Sequence, residues 1–434
     1  MMFDRGWQMP SARLATRFKG NSVKTRSGAV AVVAISVAAL AAGSAQAEVD
    51  LRVNSGYRHE SNLFRQSKAL PNADQQSGSR SDDVFSLGGT VTAEVNPGNF
   101  NTVLQLDAGQ EWYRRNSALN NFNYTAQAAV TRETGGIVGL RLDALSQRSL
   151  SSYADIRTRL RNVQDLQRVT GEFTLPITPD IRLVANPEFT QSQNSADIVK
   201  VNDFRQYGTG VGVGWFSPIG NSIAVTVSQR YTDGLSDRTI PVSETQSVLS
   251  RINLVDTGVG VKLRYAPSVL TSIEANVGII RRNDRSVLNN DYTGPSGEVI
   301  LRYMPRDSFR VSLTAGRRLE AQSYIFIDSV RSDYAAATVV AQVMDQLTLN
   351  GRLDIGWRIF RYDPLSQLPQ LTDRRERLFR LAGGAEYRLL GRLLLGARAA
   401  YDQRRSNIAL GGYKAMTIAA TASVAFGNRK ATVF

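Results

Sequence analysis

The chain is 434 residues long with no cysteine and a single histidine. Zinc, iron–sulfur and thiol chemistry therefore has no ligand set to draw on, and a small disulfide-stapled scaffold is excluded. Lysine and arginine outnumber aspartate and glutamate 52 to 38, a formal charge of +14, yet the arginines are spread along the chain and gather in no single patch, so a nucleic-acid partner is not indicated.

The first 47 residues read as a secretory signal. Arg5, Arg13, Arg17, Lys19, Lys24 and Arg26 form a basic leader, Gly28 to Ala42 is an apolar stretch too short to span a bilayer, and Ala45-Gln46-Ala47 is a small-residue cleavage site. The leader is long, and a start near Val23-Lys24 would give a signal of more usual length. Cleavage removes six basic residues and one acidic residue, Asp4, and leaves residues 48–434 as one exported domain of net charge +9.

From Glu48 onward the dominant pattern is alternation with a period of two. Val138, Leu140, Leu142 and Ala144 alternate with Gly139, Arg141 and Asp143, and Ile273, Ala275, Val277 and Ile279 with Glu274, Asn276 and Gly278. Phe309 to Ala315, Leu347 to Ile359 and Met416 to Phe426 repeat it, and no comparable stretch has a helical period. Many segments run to ten residues or more, the length a tilted strand needs to cross a bilayer and longer than strands of soluble proteins. Eighteen segments start near Val49, Asp83, Phe100, Asn121, Ile137, Leu166, Ile181, Asp203, Ser222, Arg251, Thr271, Tyr292, Ser308, Tyr334, Leu347, Arg374, Arg392 and Tyr413.

The links alternate as well. Short turns fall at Asn96 to Asn99, Glu133 to Gly136, Pro176 to Asp180, Ser217 to Asn221, Ala266 to Ser268, Pro305 to Asp307, Asp345-Gln346 and Leu390-Gly391. Longer polar links run from Glu60 to Asp82, Leu150 to Asp165, Asp233 to Ser250, Glu320 to Asp333 and Asp363 to Asp373. Short periplasmic turns alternating with long external loops characterise outer-membrane barrels. The expected fold is all-β: a transmembrane antiparallel β-barrel of about 18 strands (16–18), closed because no unpaired backbone group can face lipid. Strands and links use the whole of 48–434, leaving no room for a plug or a catalytic domain. Tyr57, Trp112, Tyr113, Trp215, Phe216, Tyr231, Tyr265, Tyr303, Tyr362 and Tyr387 suit an interfacial girdle. The closing aromatic Phe434 suits recognition by the outer-membrane assembly machinery.

Strand parity turns Arg141, Arg182, Arg264, Arg302, Arg310, Arg352, Arg358, Arg380, Arg388 and Arg398 inward, together with Asp107, Glu111, Asp143, Glu188, Glu274, Asp354 and Glu386. These charges either pair across strands and fill the wall, or line a basic, water-filled passage that concentrates anions. Loop residues Arg157, Arg159 and Arg161, and Arg374, Arg375 and Arg377, are candidates for contact with anionic lipopolysaccharide or an acidic polymer, or are simply solvated.

The stretch Gly56-Tyr57-Arg58-His59-Glu60-Ser61-Asn62-Leu63-Phe64-Arg65 resembles the stretch ending in Asn-Leu-Phe-Arg of the outer-membrane β-barrel porin family found with exopolysaccharide biosynthesis systems. His59-Glu60 stands where that segment would carry an acidic or Asp/Ser pair, and no substrate-binding residue is transferred. The resemblance implies export of an exopolysaccharide across the bacterial outer membrane. The expectation is a channel without cofactor that passes an acidic polymer down an arginine-lined lumen, with a periplasmic secretion partner possible. A general anion-preferring diffusion porin and a non-conducting structural or adhesive barrel are the alternatives. An enzyme is not expected: the one histidine, His59, lies beside Glu60 and Ser61 in an extended segment whose neighbours point to opposite faces, which is poor triad geometry.

Overall fold

A computed structural model of the chain describes residues 47–426 except 68–78, 97, 133–137, 155–158, 242–246, 287–290, 321–326, 363–373, 390 and 409–410. The expected signal over 1–47, apart from Ala47, and the closing Phe434 lie outside the described residues, as do Glu133 to Gly136, Leu390 and Arg157. The strands are β1 (Ala47–Glu60), β2 (Asp82–Val95), β3 (Phe100–Tyr113), β4 (Asn121–Arg132), β5 (Gly139–Leu150), β6 (Val163–Pro176) and β7 (Ile181–Asn194). They continue with β8 (Phe204–Phe216), β9 (Ser222–Gly234), β10 (Arg238–Pro241), β11 (Ser247–Ser250), β12 (Asn253–Ser268), β13 (Thr271–Asp284) and β14 (Tyr292–Arg306). The last six are β15 (Phe309–Glu320), β16 (Ile327–Met344), β17 (Leu347–Tyr362), β18 (Arg374–Leu389), β19 (Leu393–Ser406) and β20 (Tyr413–Phe426).

Eighteen of these strands form one antiparallel sheet in chain order, and the small β10–β11 hairpin stands apart from it. The sheet closes on itself: β1 pairs with β2 from Ala47↔Val95 to Glu60↔Asp82 and with β20 from Leu51↔Phe426 to Glu60↔Thr417. Closure removes both sheet edges, the condition for a sheet to sit in lipid. Strand order, the alternation of short and long links, and most strand starts follow the sequence expectation. Two features differ. The link expected from Asp233 to Ser250 contains the β10–β11 hairpin, and β16 begins at Ile327, well before Tyr334.

The outer face is apolar. Leu51, Leu87, Leu106, Val211, Val225, Val259, Val277, Leu313, Leu381 and Ile418 are all exposed, as residues facing hydrocarbon must be in an isolated barrel. Aromatic side chains frame this band at both ends. Trp215, Tyr265, Tyr303 and Tyr387 lie outward near the short turns, and Tyr57, Phe85, Trp112, Tyr207, Trp357 and Phe379 outward near the long links. On β18, Phe379 and Tyr387 are separated by about 26 Å along the strand, or about 20 Å along the membrane normal for a strand tilted by roughly 40°. Two expected girdle members face the other way. Tyr113 is buried inside the barrel and Phe216 lies under an inward arginine, because each follows an outward tryptophan and adjacent strand residues alternate faces. The Tyr362 side chain lies outside the described residues.

Candidate functional site: the lumen and its external mouth

The outward residues fix the inward ones. On β17, Leu349 and Trp357 face lipid, so Arg352, Asp354 and Arg358 face the lumen. The same parity turns Arg141, Arg182, Arg264, Arg302, Arg310, Arg388 and Arg398 inward from β5, β7, β12, β14, β15, β18 and β19. Several are neutralised in place. Arg141 donates to Asp143 at 2.9 Å, Arg302 pairs with Glu274 at 2.7 Å, and Arg352 donates to both oxygens of Asp354 at 2.9 and 3.0 Å. Arg380 pairs with Asp402 at 3.5 Å. Arg182 stacks over Phe216, 5.0 Å from the ring centre, and Arg310 approaches the Met304 sulfur at 3.8 Å. Arg358 stands in register with Glu376 and Ser332, and Arg388 with Leu394. Arg264 and Arg398 are exposed on the inner wall, and among the described residues their guanidinium groups have no partner. The wall therefore combines internal ion pairs with unneutralised cations.

Two further lumen cations, Lys262 and Arg230, share this parity but were not among the sequence candidates, whereas Glu188, the partner of Arg230, was. Lys262 of β12 reaches Asn186 of β7 and comes within 3.8 Å of Glu172 on β6, four strands away around the wall. Arg230 of β9 pairs with Glu188 of β7. Lys262 lies two residues from Arg264 on the same face, so parity alone would have found it. Beside these groups is a recess of about 260 Å³ lined by Asn186, Glu188, Arg230, Lys262, Asn276 and Ser296. Its floor is bare backbone. A Cβ on Gly278 would stand 2.3 Å from the Val259 carbonyl oxygen and, outside the recess on β8, one on Gly212 2.0 Å from that of Val225, so only glycine fits where the strands approach this closely.

The mouth at the long-link end is partly filled by the chain itself. After β1 the backbone turns inward: Asn62 donates to the carbonyls of Gln66 and Lys414, both at 2.9 Å, and its own side-chain oxygen accepts from the Gln66 N–H at 3.0 Å. The next residues place Leu63 and Phe64 against Val84, Tyr113, Leu119 and Tyr153, a buried apolar cluster inside a polar mouth. Arg65 adopts a left-handed backbone with φ 52°, a conformation costing roughly 1–2 kcal/mol for a non-glycine residue; its guanidinium is held by Glu60 at 2.9 Å and Asp402 at 3.6 Å. Asn62-Leu63-Phe64-Arg65 is thus consumed in building the turn.

Residues 151–154 and 159–162 also enter the mouth. The Tyr153 ring meets Phe64 edge-on with ring centres 4.9 Å apart, Arg159 lies over Phe64 at 5.2 Å, and Arg404 of β19 donates to the Ala154 carbonyl. Since β5 and β19 are six strands apart around the ring, the contact between Arg404 and Ala154 reaches across part of the opening. Burial pushes the Tyr153 hydroxyl up to about 12. Arg404 is itself fixed. It donates to the Gly411 carbonyl at 3.0 Å, stacks over Tyr413 at 4.7 Å and stands 3.7 Å from Glu376, whose carboxylate also accepts from Arg374 at 2.7 Å. Arg374, expected as a loop residue, is instead buried over Phe360, 4.2 Å from the ring centre.

His59 faces outward. Its Nδ1 contacts Asp83 at 2.8 Å, and Tyr57 donates to the same oxygen, also at 2.8 Å. Glu60 turns inward to Arg65, while the Ser61 hydroxyl accepts from the Met416 N–H at 2.7 Å. The three neighbours are spent on separate structural contacts.

The barrel is porin-like in strand number, closure, apolar exterior and charged interior. Comparison with known proteins agrees in part of its length: residues 253–426, which comprise β12 to β20, match the family model described as "Putative beta-barrel porin 2". The Asn62–Arg65 segment lies outside that match. No curated protein matches the chain. Among solved structures, OccAB3 of Acinetobacter baumannii is 11% identical, with 88% of this chain and 99% of that one covered and a TM-score of 0.41. OpdQ of Pseudomonas aeruginosa is 10% identical over 88% and 99%, with a TM-score of 0.42, and a BenF-like porin from Pseudomonas fluorescens Pf-5 is 9% identical over 88% and 99%, with a TM-score of 0.43.

Proposed function

We propose that the protein is a diffusion channel of the bacterial outer membrane that favours small anionic solutes. The observation that carries this reading is the pair Arg264 and Arg398, exposed on the inner wall without a partner among the described residues. In a water-filled passage, uncompensated cations raise the local concentration of anions without binding them tightly enough to stall transit. The inward-folded 61–66 and 151–154 segments support small cargo, since they occupy part of the external opening that a continuous polymer would have to traverse. Arg141, Arg302 and Arg352 serve in this reading as a charged but locally neutral lining with Asp143, Glu274 and Asp354. Residues 1–47 are read as the export signal, checked by N-terminal mass determination of protein recovered from outer membranes.

The test is swelling of liposomes that contain the purified full chain. Uptake of gluconate severalfold faster than uptake of a neutral sugar of equal size is expected. Equal rates, or no swelling, would overturn it. Exopolysaccharide export remains a second reading, favoured by the Asn62–Arg65 resemblance alone. It is tested by measuring released and periplasmic polymer in a deletion strain, where periplasmic accumulation would favour export and unchanged release would exclude it.

A further inference from the structure

Above the apolar band on the long-link side, the outer face of β18 to β20 carries a cluster of cations with, among the described residues, no carboxylate between them. Arg375 and Arg377 point outward from β18, since their parity is that of the lipid-facing Phe379 and Leu381, whereas Arg374 and Glu376 are buried inside. Arg377 stands directly opposite Arg405 of β19. Lys414 of β20 lies diagonal to Arg405, opposite Gln403. All four side chains are exposed, and among the described residues none has an ion-pair partner. One strand further on, Trp357 of β17 is the neighbour of Arg377, and beyond it Asp333 of β16 is already engaged by Arg317 at 3.0 Å and Arg331 at 3.7 Å.

Like charges directly opposed across an antiparallel pair are destabilising unless something neutralises them. The Arg377–Arg405 pair is therefore an unfavourable element of the bare barrel. Its height on the wall says what would relieve it: immediately below lie Phe379, Leu381, Met416 and Ile418, all exposed to hydrocarbon, and Trp357 flanks it. The cluster thus sits where the anionic headgroups of the outer leaflet meet the acyl chains. Arginine is suited to this task, because its planar fork binds phosphate oxygens in pairs and its weak hydration tolerates the interface.

We propose that Arg375, Arg377, Arg405 and Lys414 form a binding site for the phosphorylated glycolipid headgroup of the outer leaflet, lipid A, with its acyl chains lying over Leu381, Met416 and Ile418. The proposal rests on the outer-membrane placement above but not on conduction. Two phosphates on one rigid sugar backbone would bridge the β18–β19 pair and convert a repulsive contact into a stabilising one. A singly charged phospholipid or a free phosphate ion would satisfy only part of the cluster.

The test uses the full chain refolded in detergent and an R375Q/R377Q/R405Q variant. Lipid A, phosphatidylglycerol and inorganic phosphate are each titrated and the bound forms resolved by native mass spectrometry. Wild type is expected to retain lipid A in preference to phosphatidylglycerol. The variant should lose affinity on the order of 100-fold, about fivefold for each arginine at a charged membrane surface. Equal retention of lipid A by the variant, or displacement of lipid A from wild type by millimolar inorganic phosphate, would overturn the site. Conductance, measured in parallel, should be the same in both proteins because the substituted side chains face away from the lumen. A barrel that binds lipid A but does not conduct would count against the channel reading while leaving this site intact.

Discussion

Replacing Glu376 with alanine should be the most damaging single change at the external mouth. The carboxylate is fully buried and serves two guanidinium groups, Arg374 and Arg404, whose side chains are only 5% and 3% exposed. Its loss removes the carboxylate that both buried guanidinium groups share, and removing one partner of a buried pair costs about 3–5 kcal/mol. Stacking on Phe360 and Tyr413 would hold both arginines in place, so relaxation into solvent can recover only part of that cost. Glutamine retains an acceptor and should cost less, about 1–3 kcal/mol. The assay is urea unfolding of the barrel in lipid vesicles, followed by tryptophan fluorescence, with order of stability wild type, then E376Q, then E376A. A second readout follows from the bond between Arg404 and the Ala154 carbonyl: E376A should admit protease at residues 151–154, and wild type should resist there. Equal stability of all three proteins would show that the two guanidinium groups are hydrated and that the mouth is not held by this network.

Three further outcomes are expected. Gly212→Val places side-chain atoms against the Val225 carbonyl, so the fraction of heat-modifiable folded barrel on a gel should fall, with a cost of about 1–3 kcal/mol for overpacking; a normal folded fraction would show that β8 and β9 can separate there. Replacing Arg264 and Arg398 together with serine removes two uncompensated charges, each worth about 0.6 kcal/mol, or roughly threefold, to an anion passing about 7 Å away in water-like dielectric. The R352S/D354S pair removes a neutral unit and should leave anion permeability unchanged; equal effects of the two double variants on reversal potential would refute the distinction between paired and free arginines. Burial raises the Tyr153 hydroxyl from its ordinary value of 10.0 to about 12, so the neutral form is the one the fold favours. The packing that Tyr153 contributes is fully present below pH 10 and is lost as pH rises through about 12. Tyrosinate absorbance of wild type minus Tyr153→Phe should show one group ionising near 12, and ionisation near 10 would mean that the ring is solvated.

The membrane-spanning part of the fold was legible because lipid writes a strict pattern onto it. Leu347 to Ile359 alternates without a break since every second residue meets hydrocarbon and the others meet water and charge. Where strands extend beyond the lipid that rule lapses. Ile327 to Asp333 belongs to β16, but its outward residues Arg331 and Asp333 stand above the apolar band, so the segment reads as a polar link. The β10–β11 hairpin was hidden for the same reason, being short and away from the membrane-facing sheet.

For the lumen, parity located the inward arginines, but pairing depends on which side chains meet across register. Arg352 and Asp354 are two residues apart and their pairing could be anticipated. Lys262 meeting Glu172, or Arg404 meeting Ala154, depends on curvature that brings distant strands together. The Asn62–Arg65 segment suggested cargo when read as a motif. In three dimensions its side chains close a turn, and its contacts with Lys414 and Asp402 are made to the far end of the chain.

The most direct test of an open, basic passage is the reversal potential of single wild-type channels in a planar bilayer under a potassium chloride gradient. Discrete conductance steps reversing close to the chloride equilibrium potential are predicted. Reversal close to the potassium equilibrium potential, or a barrel that inserts and never conducts, would contradict it.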